Sequence, residues 1–266
     1  MTTLDAVLLG LVQGLTEFLP VSSSGHLVLV EHWLSIASPG VTFEVAVHVG
    51  TLFSILVMLR SDVLALVQSG FALCKQPGQL RSKYEHPLAG LVLVGILPAG
   101  VAGIFFKDFF EGFFGDPSAV GGLLIGTGLF LIGTRWLRKP TGALNWSRAL
   151  IIGILQFAAL LPGVSRSGST IAGGMYAGVG PAEATRFSFL MAIPLLAGAT
   201  VLEISDFIAT SFTMHTLLTL GAGMLVAFVS GCFAIAWLLR IVAAGRFAAF
   251  GYYCCAVGVI ALLTIK

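Results

Sequence analysis

Two apolar stretches of this chain are each cut in the middle by serine, glycine and proline, and these interruptions constrain the fold more than any other feature. Residues 4–34 are broken by Pro20-Val-Ser-Ser-Ser-Gly25, and residues 147–180 by Pro162-Gly-Val-Ser-Arg-Ser-Gly168. A helix needs about 20 apolar residues to cross the hydrocarbon core of a bilayer. Each half of these segments is too short for that. Irregular backbone at membrane depth is tolerated only where protein buries it or a wet cavity bathes it. Both segments therefore read as re-entrant helical hairpins with polar tips.

Six other stretches are long and uninterrupted: residues 43–60, 87–106, 118–137, 183–204, 215–240 and 246–265. Of the 266 residues, 57% are hydrophobic and 10% charged, where a soluble domain carries about a quarter charged. A water-soluble globule has to present a polar exterior, and this composition cannot supply one. It excludes a soluble enzyme, a disordered chain and a disulfide scaffold. The net charge of +2 gives no nucleic-acid footprint. Cys232, Cys254 and Cys255 lie inside apolar runs and Cys74 just before a polar loop, so the cysteines read as packing residues. The first residues carry no Lys or Arg and no cleavage pattern follows, so no cleavable signal is expected.

The expected fold is an all-α polytopic membrane protein, six transmembrane helices plus two re-entrant hairpins, in a single domain spanning residues 1–266. If each hairpin returns to the side it entered, and Arg166 and Arg186 are set aside as possible site residues, Arg60, Lys75, Arg81, Lys83, Arg135, Arg138, Lys139, Arg148, Arg240 and Arg246 share one side, and only Lys107 and Lys266 the other. That is a positive-inside pattern, and it puts both termini outside the cytoplasm.

The chain also matches itself. At an offset of 143 residues, Gly10-Leu-Val-Gln13 lies over Gly153-Ile-Leu-Gln156, and Val21-Ser-Ser-Ser-Gly25 over Val164-Ser-Arg-Ser-Gly168. Each half, approximately 1–140 and 141–266, holds one hairpin and three spans. An odd number of spans inverts the second half, so the two tips should meet near the midplane, as in other inverted repeats with broken helices.

Ionisable groups inside a membrane are costly and point to function. The first tip offers Gln13, Glu17, Ser22, Ser23, Ser24 and His26, with Gln13 and Glu17 on one helix face. The second offers Ser165, Arg166, Ser167, Ser169 and Thr170. Backbone N–H groups at a helix start bind anions, and Arg matches phosphate bidentately. Hydroxyl, imidazole and carboxylate opposite an anion site suggest phosphoryl transfer on a lipid phosphate. Taken singly, Ser24 and Ser169 read as helix-packing residues, and His26 reads equally well as structural or chemical. His32 and His86 lie near interfaces, and His48 and His215 carry no supporting pattern. Glu44 and Arg186 begin equivalent spans and read as interfacial anchors or cavity-mouth residues.

The run Gln13-Gly-Leu-Thr-Glu17-Phe-Leu-Pro-Val-Ser-Ser-Ser-Gly-His26 resembles the first signature of the undecaprenyl-diphosphate phosphatase family, the bacitracin-resistance proteins. Pro162-Gly-Val-Ser-Arg-Ser-Gly-Ser-Thr170 resembles the second, and Phe43-Glu44 and Arg186-Phe-Ser-Phe-Leu190 also fit. The resemblance implies hydrolysis of undecaprenyl diphosphate to undecaprenyl phosphate and phosphate in the bacterial plasma (inner) membrane. That reaction recycles the carrier lipid for peptidoglycan and confers bacitracin resistance. It also implies a divalent cation, Mg²⁺ or Ca²⁺, at Glu17. The expected catalytic residues are Glu17, Ser23, His26 and Arg166; Gln13, Ser22, Ser24, Ser165, Ser167 and Thr170 are expected to bind substrate in a cavity open to the outer side. The family often has Glu where this chain has Gln13, which leaves one carboxylate rather than two. Either Ser23, with His26 as base, or His26 itself serves as nucleophile. The motif elements of the acid-phosphatase class are missing: residue 172, six beyond Arg166, is Ala rather than His. The partners expected are the polyprenyl diphosphate, bilayer lipids and a second copy in a homodimer. A lipid-phosphate flippase built on the same cavity is the competing class.

Overall fold

The structure is a computed structural model describing residues 1–36, 40–75, 86–106, 109–110, 112–113, 115–138, 140–202 and 213–265. The charges expected at Arg81, Lys83, Lys107, Lys139 and Lys266 lie outside these residues, as do the last two residues of the expected 183–204 span. The described residues form eleven α-helices and two 3₁₀ turns. The one β-type contact among them is an isolated bridge between Gly142 and Val179.

Five helices are long and apolar enough to cross a membrane: α3 (Val41–Met58), α5 (Leu88–Phe105), α6 (Pro117–Gly133), α9 (Pro181–Leu202) and α10 (Met214–Ala243). The chain is thus an all-helical polytopic membrane protein. The expected sixth span is shorter than its sequence window, because α11 covers only Ala249–Thr264, 16 residues. At ~1.5 Å per residue such a helix is about 24 Å long, against a hydrocarbon core of about 30 Å. The shortening begins at Gly245, in the left-handed region at φ 69°. There Arg246 N–H bonds the Ile241 carbonyl and Gly245 N–H that of Val242, a glycine-terminated helix end. The chain then turns before restarting at Ala249. The sequence windows place no helix between residues 60 and 87, but α4 (Arg60–Lys75) follows α3 directly.

The two interrupted segments each form a pair of short helices. The first pair is α1 (Thr3–Phe18) and α2 (Ser23–Leu34); the second is α7 (Trp146–Phe157) and α8 (Arg166–Tyr176). Their starts are set by side-chain caps, which satisfy otherwise orphaned N–H groups. Thr2 and Asp5 form a capping box on α1. Ser22 caps α2 through Gly25 N–H, Asn145 caps α7, and Ser165 caps α8 through Gly168 N–H.

The short helices are held by glycine contacts. Helix α1 lies along α10, α7 along α5, and α6 along α11. A methyl group on Gly10 would strike the Gly223 carbonyl, and one on Gly153 the Gly95 carbonyl. Such close backbone approach is how membrane helices gain van der Waals contact without a hydrophobic driving force. The largest apolar cluster, with Phe18, Leu131, Ile171, Phe189 and Ile235, adjoins the first tip. Phe18 and Phe189 meet edge to face at 5.7 Å. This packing fixes the last turn of α1, which carries Glu17.

Candidate active site

Helices α2 and α8 both begin at a polar tip, and the two tips meet. Ser22 Oγ accepts from Gly163 N–H at 3.1 Å, and Ser167 Oγ donates to the Leu19 carbonyl at 2.9 Å. Gly25 packs against Gly163. Ser22 sits at φ 71°, a conformation costing a non-glycine residue about 1–3 kcal/mol. Its hydroxyl, shared between the N–H groups of Gly25 and Gly163, holds it there.

Glu17 lies at the centre of the junction, 7% exposed. One carboxylate oxygen, Oε1, accepts from Arg166 Nη2 at 2.6 Å. The other, Oε2, accepts from Ser23 Oγ at 2.6 Å and Gln13 Nε2 at 2.8 Å. The i, i+4 spacing of Gln13 and Glu17 on α1 makes the second contact; the first residues of α2 and α8 supply the others. Among the described residues, two polar atoms in this cluster are buried without a partner: Arg166 Nη1 and Gln13 Oε1. Gln156, the counterpart of Gln13, is buried with both amide atoms unpaired.

His26 is not on Ser23. Its Nδ1 lies 2.8 Å from the Ser22 carbonyl and its Nε2 2.9 Å from the Tyr253 hydroxyl. The Ser23 hydroxyl meets Glu17 and not His26, because one helical turn aims the imidazole back at its own cap. The remaining hydroxyls build the tips. Ser24 contacts Ser22, and Ser165 contacts Ser167 while capping α8. Thr170 donates to the Arg166 carbonyl and pairs with Ser188 at 2.6 Å. Thr127 of α6 donates to the Gly163 carbonyl. Arg186 lies outside the junction, paired with Asp62 of α4 at 3.3 Å.

Sequence reasoning missed Tyr253, Ser188 and Thr127. Each sits within an apolar span distant in the chain, and only Ser188, inside the Arg186–Leu190 motif, carried a signal.

The geometry is a serine hydroxyl bonded to a carboxylate, beside an arginine with a free N–H and two facing helix N-termini. A family model described as bacitracin resistance protein BacA matches residues 6–260. The chain belongs to this BacA family. Curated relatives of matching length are similar throughout. An "Undecaprenyl-diphosphatase" of Salinibacter ruber is 41% identical over 264 residues, 97% of each chain. One of Desulforapulum autotrophicum is 39% identical, again over 97% of each chain. One of Rubrobacter xylanophilus is 42% identical over 94% of this chain and 93% of its own.

Proposed function

We infer that this chain is an undecaprenyl-diphosphatase, releasing phosphate from undecaprenyl diphosphate to regenerate the carrier lipid and confer bacitracin resistance. One observation carries the reading: Glu17 grips the Ser23 hydroxyl and Arg166 together, while Arg166 Nη1 and Gln13 Oε1 stay buried and unpaired. An unpaired buried donor costs about 1–3 kcal/mol. A phosphate oxygen at Nη1 would recover that cost.

The diphosphate binds against Arg166 and the N–H groups at the starts of α2 and α8, where both helix dipoles favour negative charge. The caps Ser22 and Ser165, with Ser24, Ser167 and Thr170, hold those turns in shape. Ser23 Oγ attacks the terminal phosphorus and its proton passes to Glu17 Oε2. The bond from that phosphorus to the bridging oxygen breaks, and undecaprenyl phosphate leaves. Water then attacks phosphoserine, Glu17 returns its proton to Ser23, and the proton lost by the attacking water passes through an intervening water to His26 Nε2, which releases it to solvent. His26 as nucleophile is less well supported, since neither ring nitrogen is turned to the junction. Positioning and charge neutralisation carry most of the rate in such transfers.

A divalent cation fits these residues as a companion of the substrate. Among the described residues, no three His, Cys, Asp or Glu side chains form a metal cluster. Mg²⁺ is commonly held by one or two carboxylates plus substrate phosphates. Glu17 and the unpaired Gln13 Oε1 offer that oxygen set, and the ion would supply further neutralisation of phosphate charge.

The proposed topology is six spans, with the short α11 as the sixth, and two re-entrant hairpins in inverted repeats. The matched approaches of Gly10 to Gly223 and Gly153 to Gly95 support the repeat. Both termini then lie outside the cytoplasm, with the site open to the outer side of the bacterial inner membrane. Phosphate release by purified protein in detergent, from a short-chain polyprenyl diphosphate, tests the activity; none would refute it, and would favour lipid transport. Reporters after Lys266 and within residues 76–85 should lie on opposite sides. Finding both on one side would break the inverted repeat.

A further inference from the structure

Tyr253 reaches His26 from 227 residues away. The two rings lie parallel, 5° apart in plane with centroids at 5.6 Å. The contact between α11 and α2 is fixed at several points. Trp33 Nε1 donates to Thr264 Oγ1 at 3.0 Å, and Cys254 Sγ reaches the Pro20 carbonyl at 3.5 Å. On its other side α11 is held to α6 by Gly128 against Gly251 and Gly121 against Gly258.

A carbonyl only accepts, so the Ser22 carbonyl requires a proton on His26 Nδ1. In the neutral ring Nε2 then carries the lone pair, and the tyrosine hydroxyl donates to it. A hydroxyl can also accept. When Nε2 gains a proton, the hydroxyl turns and accepts it. The buried imidazole can therefore change charge without losing a hydrogen bond.

We propose that Tyr253 is a positioning residue of the phosphatase site, setting which nitrogen of His26 is bare and keeping that nitrogen bonded in both charge states. The proposal rests on the reading that His26 handles a proton in this reaction. It gives α11 a part in catalysis, exerted through His26.

Tyr253 is 46% exposed, and Tyr253→Phe keeps the ring stack, so removing the hydroxyl opens no cavity. In purified protein, Tyr253→Phe lowers kcat on a short-chain polyprenyl diphosphate about ten- to a hundredfold, the worth of one hydrogen bond to a charged group. KM and thermal stability do not change. In ¹⁵N-histidine-labelled wild type, the His26 resonances, assigned with His26→Gln, report protonated Nδ1 and bare Nε2; Tyr253→Phe shifts the Nε2 signal. An unchanged kcat, or a His26 spectrum that Tyr253→Phe leaves unmoved, overturns the proposal. Full activity of His26→Gln refutes instead the role given to His26, and the spectra still decide whether Tyr253 sets its tautomer.

Discussion

Arg166 is the residue whose replacement says most, because its two terminal nitrogens have different tasks. Nη2 is 2.6 Å from Glu17, with 17% and 6% of the two side chains exposed. At an effective dielectric of 20 the attraction at that distance is about 6 kcal/mol, and desolvation takes back several kcal/mol. Removing one partner of such a buried pair costs about 3–5 kcal/mol. Gln13 and Ser23 still donate to Glu17 in Arg166→Ala, so the loss should fall near 3 kcal/mol. An unpaired cation would have been relieved by its removal; this one is paired, and stability should drop. Arg166→Lys keeps a cation for Glu17 but has no planar fork. It should retain most of the stability and lose about 10- to 150-fold in turnover, the equivalent of the ~1.5–3 kcal/mol of a charged hydrogen bond. Arg166→Ala should be almost inactive. The assay is phosphate release alongside thermal unfolding in the same detergent. If Arg166→Ala unfolds readily yet turns over normally, Nη1 does not meet phosphate, and the arginine serves only as the counter-ion of Glu17.

Ser23→Ala should lose more than about 100-fold in rate with stability nearly unchanged, because Glu17 keeps Arg166 and Gln13 as donors; near-normal turnover would move the nucleophile elsewhere. Gly10→Ala and Gly153→Ala should each destabilise by about 1–3 kcal/mol, the usual cost of overpacking, through the Gly223 and Gly95 carbonyls; silent substitutions would mean the helices can part freely. Excess chelator should abolish phosphate release, and Gln13→Ala should raise the Mg²⁺ or Ca²⁺ concentration that gives half-maximal rate. Full turnover in chelator would remove the cation from the reaction.

The long apolar runs were legible because spanning length is a property of the local chain, and all five spanning helices begin within two residues of the sequence windows. Helix α4 was not, since its sixteen residues include Arg60, Asp62 and Lys75 and hold no apolar run of spanning length. The shortened α11 was partly legible in Gly245, whose left-handed backbone ends α10. At the site, the pairing of Gln13 with Glu17 follows from one helix turn. The partners of Ser23 and His26 do not, because they depend on how two tips and a distant helix pack. Nothing in the Gly251-Tyr-Tyr-Cys254 run marks Tyr253 as a neighbour of His26.

The proposed repeat gives these contacts a common origin. At the offset of 143, Ser22 corresponds to Ser165, Ser24 to Ser167 and Gly25 to Gly168. The cap and the serine pair are indeed made twice, by Ser22 with Gly25 and Ser24, and by Ser165 with Gly168 and Ser167. The halves differ where the chemistry is. Glu17 corresponds to Leu160, and Ser23 to Arg166. Glu17 takes its two strongest bonds, each at 2.6 Å, from these equivalent first residues of α2 and α8. An axis relating the halves would therefore pass close to the carboxylate, with nucleophile and cation in matching places on either side. A fully symmetric junction would set serine against serine or arginine against arginine, and neither could both attack a phosphate and neutralise it. Gln156 follows the same logic. It keeps the place of Gln13, but its i+4 neighbour is Leu160, so its amide is left buried with nothing to bond. The groups to which the proposed reaction gives a role thus differ between the tips at three equivalent positions: carboxylate for leucine, serine for arginine, and, at His26 against Ser169, imidazole for hydroxyl.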